Sequence, residues 1–221
     1  VILFLLAVFF MFPLYWIITG SFKTAAAINA QRPQWFPLEP TLMNYTKLFS
    51  QPAFQWLLNT VIMAVGAMVL TCLTAALAGY ALAKKRFYGR KILFSLLVCA
   101  MALPKQVIVI PLLQEMNFLH LHDTLWAVIL PTVGWPFGVF LMKQFYEGVP
   151  TELCEAARID GLSEYGIWWH IMLPLSLPAL STLTIFTFVN TWNDFLGPLI
   201  YLTKTALKTI QIGLRMFITQ Y

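Results

Sequence analysis

Residues 147–164 read EGVPTELCEAARIDGLSE and separate two long apolar runs. Five of these 18 residues are acidic, although charged residues make up only 10% of the chain. The pattern predicts a helix from residue 152 to about 159, with Thr151 as its N-cap and Gly161 in the left-handed turn that ends it. Leu162 or Ser163 would begin the next helix, and residues 168–174 would lead into the second apolar run.

The predicted helix offers a surface for another protein. Glu155 and Ile159 are four residues apart and therefore share one face. Ala156 and Ala157 give the helix a small-residue surface that a partner can approach closely. Glu164 lies beyond the turn, and we expect it to matter less. The alternative interpretation is a solvated amphipathic hairpin without a partner.

The composition indicates a membrane protein. Apolar residues make up 60% of the 221 residues, and the mean hydropathy is +0.76. The charged residues are too few to cover a soluble core. The net charge of +5 comes from basic residues scattered in short loops, which does not favour nucleic-acid binding. The three cysteines lack the short spacing of a zinc site or disulfide framework.

Five apolar runs are long enough to cross about 30 Å of hydrocarbon. The fold class predicted from them is all-α, a polytopic membrane helical bundle that forms one transmembrane domain over residues 1–221. We expect a sixth span and a short N-terminal segment beyond this sequence. The five runs are residues 1–18, 56–83, 92–113, 125–142 and 175–201.

The short loop of residues 84–91 sets the expected orientation. Five of its eight residues are Lys or Arg, which places it in the cytoplasm. Alternation then puts residues 20–55 and 114–123 outside. It also puts the acidic loop, about 146–173, in the cytoplasm.

Two of the predicted spans carry helix breakers. Pro104 precedes Lys105 in the third, and residues 131–138 of the fourth contain two prolines and two glycines. Backbone groups freed at such breaks need a neighbour or a watery cavity. A solute conduit and ordinary kinks in a bundle both remain open.

Polar residues recur along the fifth span. Ser181, Thr184, Thr187, Thr191 and Asp194 are three or four residues apart, and Asn190 and Asn193 lie beside them. Such residues should face the bundle or a cavity, as hydrogen-bonding contacts between helices or as the lining of a path.

Lys105 is the notable charge of the third span. It can reach toward the outer interface, pair with Asp194 or face a passing solute. His120 and His122 beside Asp123 fit polar loop residues better than a metal site, so no metal site is predicted.

Three functions are compatible with such a chain. The first is a permease driven by a separate ATPase, since the sequence has no phosphate-binding loop of its own. The second is a stand-alone channel or secondary carrier, which would not need the acidic loop. The third is a membrane enzyme, but no catalytic residues in a nucleophile–His–acid arrangement are found.

Several motifs together resemble the permeases of bacterial carbohydrate importers of the ATP-binding-cassette class. The resemblance covers nearly the whole chain and is strongest to the second permease of maltose-type importers. The motifs are PLYW (13–16), SFK (21–23), LNT (58–60), AGYALA (78–83), EAARIDG (155–161) and WNDFLGPLI (192–200).

The resemblance implies a set of partners. They are a second permease forming a heterodimer, two ATPase subunits that bind ATP and Mg²⁺, and an extracytoplasmic solute-binding protein, assembled in a bacterial or archaeal cytoplasmic membrane. No cofactor is expected in this chain. The helix carrying Glu155, Ala156, Ala157, Asp160 and Gly161 would dock in a cleft of the ATPase. Candidate path residues are Lys105, Asn190, Asn193 and Asp194.

Overall fold

The computed structural model describes the backbone of residues 2–220 and the side chains of residues 2–216. The described backbone is helical and contains no strand, which confirms the all-α prediction. The chain contacts divide into two compact units, Val1–Phe54 and Gln55–Tyr221, and the single domain stays a prediction. The first unit contains α1 (Ile2–Ser21), α2 (Ala25–Ile28) and α3 (Met43–Phe49).

The next helix, α4 (Ala53–Lys84), is longer, and all but its first two residues belong to the second unit. A π-helical segment (Trp168–Met172) and a 3₁₀ turn (Thr205–Leu207) interrupt the α-helices that follow. These are α5 (Arg90–Met101), α6 (Lys105–Phe118), α7 (Trp126–Val133), α8 (Pro136–Glu147), α9 (Glu152–Ile159), α10 (Glu164–Ile167), α11 (Leu173–Leu175), α12 (Leu177–Trp192), α13 (Leu196–Tyr201) and α14 (Ile210–Gln220).

Three stretches are long and apolar enough to cross a membrane as single helices, and up to five are if each of two bent pairs is one span. The single ones are Ile2–Ser21, Ala53–Lys84 and Trp126–Glu147. One bent pair is α5 with α6, which turn by 110° between them. The other joins the helical stretch Glu164–Leu175 to α12 with a bend of 76°. The maximum of five agrees with the predicted number, and membrane crossing here rests on length and composition.

The predicted helix breaks are only partly observed. The break at Pro104 is confirmed, because Pro104 takes an extended conformation as the N-cap of α6. The fourth span has a short break before Pro136 but still qualifies as one stretch. The 76° bend at Ser176 was not predicted, although Pro174 and Pro178 flank that residue.

In the first unit, the segment that follows α1 folds back on the end of that helix. The Tyr15 hydroxyl donates to the Trp35 carbonyl at 2.6 Å. The Asn44 amide donates to the carbonyls of Ser21 and Lys23, both at 2.9 Å. The contact with Ser21 satisfies a carbonyl that the end of α1 leaves open.

The core of the second unit has two clusters. One joins α4 and α8 to the acidic loop and α12, and the other joins α4 to α6, α7 and α13. Gly79 allows the close approach of α4 to α8. A Cβ atom there would lie 2.6 Å from Met142 Cβ and 2.8 Å from the backbone nitrogen of Lys143.

Polar contacts hold together the segments at one end of the second unit. Asn59 donates to the carbonyls of Ala206 and Lys208 at 2.8 and 3.0 Å. Asp123 accepts from the Thr203 backbone N–H and hydroxyl, both at 2.6 Å. The Asp123 contacts attach the loop that the topology prediction places outside to the residues after α13, and the side itself stays a prediction.

Candidate coupling loop and translocation cavity

The acidic loop folds largely as its sequence predicts. The helix α9 covers Glu152–Ile159, and Gly161 takes φ +84° at the turn that follows. Ser163 caps α10 by accepting a hydrogen bond from the Gly166 N–H. Thr151 is the N-cap residue of α9, as predicted. Its side chain makes no capping hydrogen bond, however, and its hydroxyl lies 3.5 Å from Lys84 Nζ.

One side of α9 is fixed in the core of the second unit. Cys154 and Ala157 are 1% and 3% exposed and pack in the cluster with Met172 and Trp168. The prediction that both alanines form an exposed surface is therefore wrong for Ala157, since the 3.6-residue period turns it inward. Ala156 is exposed, as expected.

The other side of α9 is open. Glu155 is exposed, and Ile159 is 87% exposed, which is unusual for an apolar side chain beside a well-packed core. Asp160 is the C-terminal cap residue of α9 and is also exposed. Within the described part of the chain, no ion pair is formed by Glu155 or Asp160, so both charges are free for a partner.

Glu164 joins the acidic loop to the basic loop. Its Oε1 atom accepts from Arg158 Nε at 2.9 Å, and its Oε2 atom accepts from the Tyr80 hydroxyl at 3.1 Å and pairs with Lys85. Because Lys85, Arg158 and Tyr80 all donate to it, the pKa of this carboxyl falls to about 2. The same contact raises the pKa of Arg158.

A second set of contacts lies beside Glu164. Glu147 pairs with Lys143 at 2.7 Å and with Arg90 at 3.7 Å. Lys84 donates to the Val149 carbonyl. The basic and acidic loops therefore lie at the same end of the second unit, as the topology prediction requires.

The Lys105 side chain adopts one of its three predicted alternatives, the ion pair. Its Nζ atom lies 3.4 Å from Asp194 Oδ2, and the two side chains are 48% and 15% exposed. The other carboxylate oxygen of Asp194 accepts from the Gly197 N–H at 3.4 Å, which places the acid at the start of α13. The pair joins the beginning of α6 to the residues after α12.

A cavity of about 260 Å³ lies beside this pair, between α4, α7–α8 and α12. Lys105 and Asn190 line it, whereas Asn193 and Asp194 do not. Both asparagines donate to carbonyls of their own helix at 2.8 Å. The polar residues predicted along the fifth span therefore do not all share one environment. Thr187 and Thr191 are buried, whereas Ser181 is exposed.

The family comparison decides between the functions that the sequence left open. Residues 73–220 match the family described as "Binding-protein-dependent transport system inner membrane component". The chain belongs to this family. It is a membrane-embedded permease subunit of the ATP-binding-cassette importers, which confirms the resemblance and favours the permease over the stand-alone channel and the membrane enzyme.

Individual relatives agree with this assignment. The permease is 38% identical to the arabinooligosaccharides transport system permease protein AraQ of Halalkalibacterium halodurans, over 96% of this chain and 77% of that protein. It is 34% identical to the sulfoquinovosyl glycerol transport system permease protein SmoH of Agrobacterium fabrum, over 94% of this chain and 74% of that protein.

A solved structure shares the fold. A chain from the crystal structure of a bacterial ABC transporter involved in import of the acidic polysaccharide alginate matches with a TM-score of 0.86. The match covers 99% of this permease and 78% of that chain at 24% sequence identity, so it supports the helical architecture alone.

Sequence reasoning missed the residues that hold the acidic loop of the permease in place. Glu164, Tyr80, Lys85 and Arg158 form one contact set from three separate segments. The available signal was charge complementarity, since a basic loop and an acidic loop were predicted on the same side of the membrane.

Proposed function

We propose that this permease forms half of the membrane path of an importer for a sugar or related polar solute. A second permease supplies the other half. Two ATPase subunits, binding ATP and Mg²⁺, drive import in the cytoplasmic membrane, and an extracytoplasmic binding protein delivers the solute. The transport systems named for AraQ and SmoH support a glycan or glycoside substrate.

The exposed face of α9 carries the proposal. Glu155 and Ile159 lie on a helix whose opposite face is buried in the core of the second unit. Such a helix can receive a displacement from a partner and pass it to α4, α8 and α12, because packed interiors transmit strain. We assign Glu155, Ala156, Asp160 and Gly161 to the ATPase contact, with Ala157 anchoring the helix from inside.

Charge reversal on the open face tests the docking assignment. Glu155→Lys should leave the permease folded, because the side chain is exposed and makes no ion pair within the described residues. It should reduce co-purification of the ATPase and abolish ATP-driven uptake. Glu115→Lys makes the same charge change on an exposed residue of α6 and should have no such effect. Normal uptake by the Glu155 variant would contradict the docking assignment.

The turn after α9 offers a second, conformational test. Gly161 has φ +84°, and no atom lies within 4 Å of the position that a Cβ would take, so a substitution is limited by backbone conformation and not by a clash. Gly161→Val should abolish transport, whereas Gly161→Asn should retain most of it, since Asn tolerates the left-handed region. Equal loss in both variants would show that the turn conformation is not the determinant.

We also propose that Lys105, Asn190, Asn193 and Asp194 lie on or beside the solute path. The ion pair of Lys105 with Asp194 and the cavity at Lys105 and Asn190 support the placement of three of them. Asn190→Leu and Asp194→Leu should keep assembly with the ATPase and reduce uptake. Loss of the assembled complex in both variants would favour a purely structural role.

A further inference from the structure

Three of the five cations in the basic loop, residues 84–91, are held by the acidic loop. Each reaches a residue between 147 and 164: Lys84 the Val149 carbonyl, Lys85 the Glu164 carboxylate and Arg90 the Glu147 carboxylate. These contacts account for the cations that face the acidic loop. They leave two cations of the basic loop without a role inside the protein.

The two remaining cations are Arg86 and Lys91. Both side chains are exposed, and neither takes part in an ion pair within the part of the chain that the structure describes. Between them in sequence lie Phe87 and Tyr88, which are 45% and 103% exposed. Exposed aromatic rings beside Lys and Arg are typical of segments at a membrane–water interface.

The basic loop joins two helices that qualify as parts of membrane spans. The helix α4 ends at Lys84, and α5 begins at Arg90 as the first half of a bent span. The five residues between them can extend over about 17 Å at most. A loop this short keeps its side chains near the surface of the hydrocarbon region, in the layer of the lipid headgroups.

The start of α5 continues the loop with an apolar surface. No residue of this helix is buried, and Ile92, Leu93 and Leu96 are 65%, 46% and 62% exposed. These side chains fit the acyl chains of a lipid whose headgroup lies at the loop. An acidic protein partner would use the cations but would not need the apolar surface beyond them, so the arrangement favours a lipid.

We propose that Arg86, Phe87, Tyr88 and Lys91 form a binding site for the headgroup of an anionic phospholipid. Arg86 and Lys91 provide charge-assisted hydrogen bonds to the phosphate, and the two rings lie at the level of the headgroups. The lipid belongs to the cytoplasmic leaflet, where the orientation prediction places this loop and where anionic lipids attract basic segments. The inference goes beyond the proposed import function and does not depend on the solute.

A lipid at this site would also support the acidic loop. Lys85 and Arg90 lie next to Arg86 and Lys91 in sequence and are joined to the two carboxylates of the acidic loop. A headgroup bound to the outward cations therefore fixes the basic loop at the membrane surface, while the inward cations hold the acidic loop.

Photocrosslinking from position 88 tests the site and identifies its occupant. Tyr88→p-benzoylphenylalanine keeps an aromatic ring at a fully exposed position. The full-length permease with this probe is reconstituted with its partner subunits into vesicles of equal parts phosphatidylglycerol and phosphatidylcholine. We expect the probe to attach to phosphatidylglycerol roughly twentyfold more than to phosphatidylcholine, from about fivefold for each of two cations.

Charge variants of the two cations test their roles. Arg86→Gln and Lys91→Gln should each lower the preference about fivefold, whereas Arg86→Lys keeps the charge and should retain most of it. Both positions are exposed, so the variants should still assemble with the partner subunits. Lys204→Gln is the matched control, because it removes an exposed cation of the second unit outside the basic loop and should leave the preference unchanged.

Several results would overturn the lipid site. Equal attachment to the two lipids would do so, and so would attachment to an ATPase subunit or to the second permease, because the surface would then be a protein contact. An unchanged preference in both Gln variants would reject the two cations as ligands. ATP-driven uptake by the same vesicles is measured separately, with the binding protein present. Its absence for every sugar, with the lipid preference preserved, would reject the proposed import function and keep the lipid site.

Discussion

Removing the Glu164 carboxylate should loosen the acidic loop by a measurable amount. In Glu164→Gln, the ion pairs to Lys85 and Arg158 are lost. The Glu164 side chain is 50% exposed, so each pair contributes only about 0.5 kcal/mol, or about 1 kcal/mol together. Glu164→Ala also removes the acceptor of the Tyr80 hydroxyl, which adds about 1 kcal/mol.

The thiol of Cys154 reports this loosening directly. Cys154 lies on the buried side of α9, whereas Cys99 is exposed and Cys72 is half-buried. In a Cys72→Ser, Cys99→Ser background, the rate at which N-ethylmaleimide labels Cys154 measures local opening of the loop. We expect about fivefold faster labelling for Glu164→Gln and about thirtyfold for Glu164→Ala.

Glu152→Gln is the control for this assay. Glu152 is an exposed acid in the first turn of α9 and has no ion pair within the described residues. It should label at the rate of the background chain. Labelling of both Glu164 variants at that same rate would refute the reasoning, because it would show that the contacts of Glu164 do not hold the loop closed.

Three further predictions concern the packing of α4 on α8, the pair of Lys105 with Asp194, and Asp123. Gly79→Ala should destabilise the permease by about 1–3 kcal/mol in thermal unfolding, because it overpacks α4 against α8, and Gly134→Ala, with nothing nearer than 3.8 Å, should not. Because Lys105 and Asp194 form an ion pair, Lys105→Met combined with Asp194→Leu should recover part of the uptake lost in either single variant, whereas additive losses would disprove the pairing. The pKa of Asp123 falls from 3.8 to about 2 through its bonds to Thr203. Its stabilisation should therefore be constant from pH 8 to about 5 and be lost as the pH falls through 3.8 toward 2, and the difference in melting temperature between wild type and Asp123→Asn checks this.

Local sequence rules were sufficient for the acidic loop. A run of helix-forming residues ended by a glycine predicted Glu152–Ile159 and the left-handed turn at Gly161, because both depend on neighbours within a few residues. The bend at Pro104 followed from the missing N–H of proline in the same way.

Long-range contacts explain what the sequence did not reveal. The inward position of Ala157 depends on how α9 rotates against a core drawn from four other segments. The role of Glu164 depends on Lys85 and Tyr80, about 80 residues earlier, and no local pattern connects them. The sequence left a cavity open as an alternative but did not locate it, because its wall combines residues from helices that are far apart in the sequence.

At the bend at Ser176, the acidic loop has a second attachment to the rest of the second unit, independent of Glu164. The Ser176 hydroxyl donates to the Leu173 carbonyl at 2.8 Å, so it accepts from the buried Tyr146 hydroxyl at 3.0 Å. This contact joins the end of α8 to the start of α12, the two helices that flank the loop. A push on α9, as the proposed function requires, would therefore reach α12 at its bend, where a change of angle costs less than in a continuous helix. The cavity residues Thr187, Asn190 and Thr191 lie on the far part of that same helix, so a change at Ser176 would move one wall of the cavity beside Lys105.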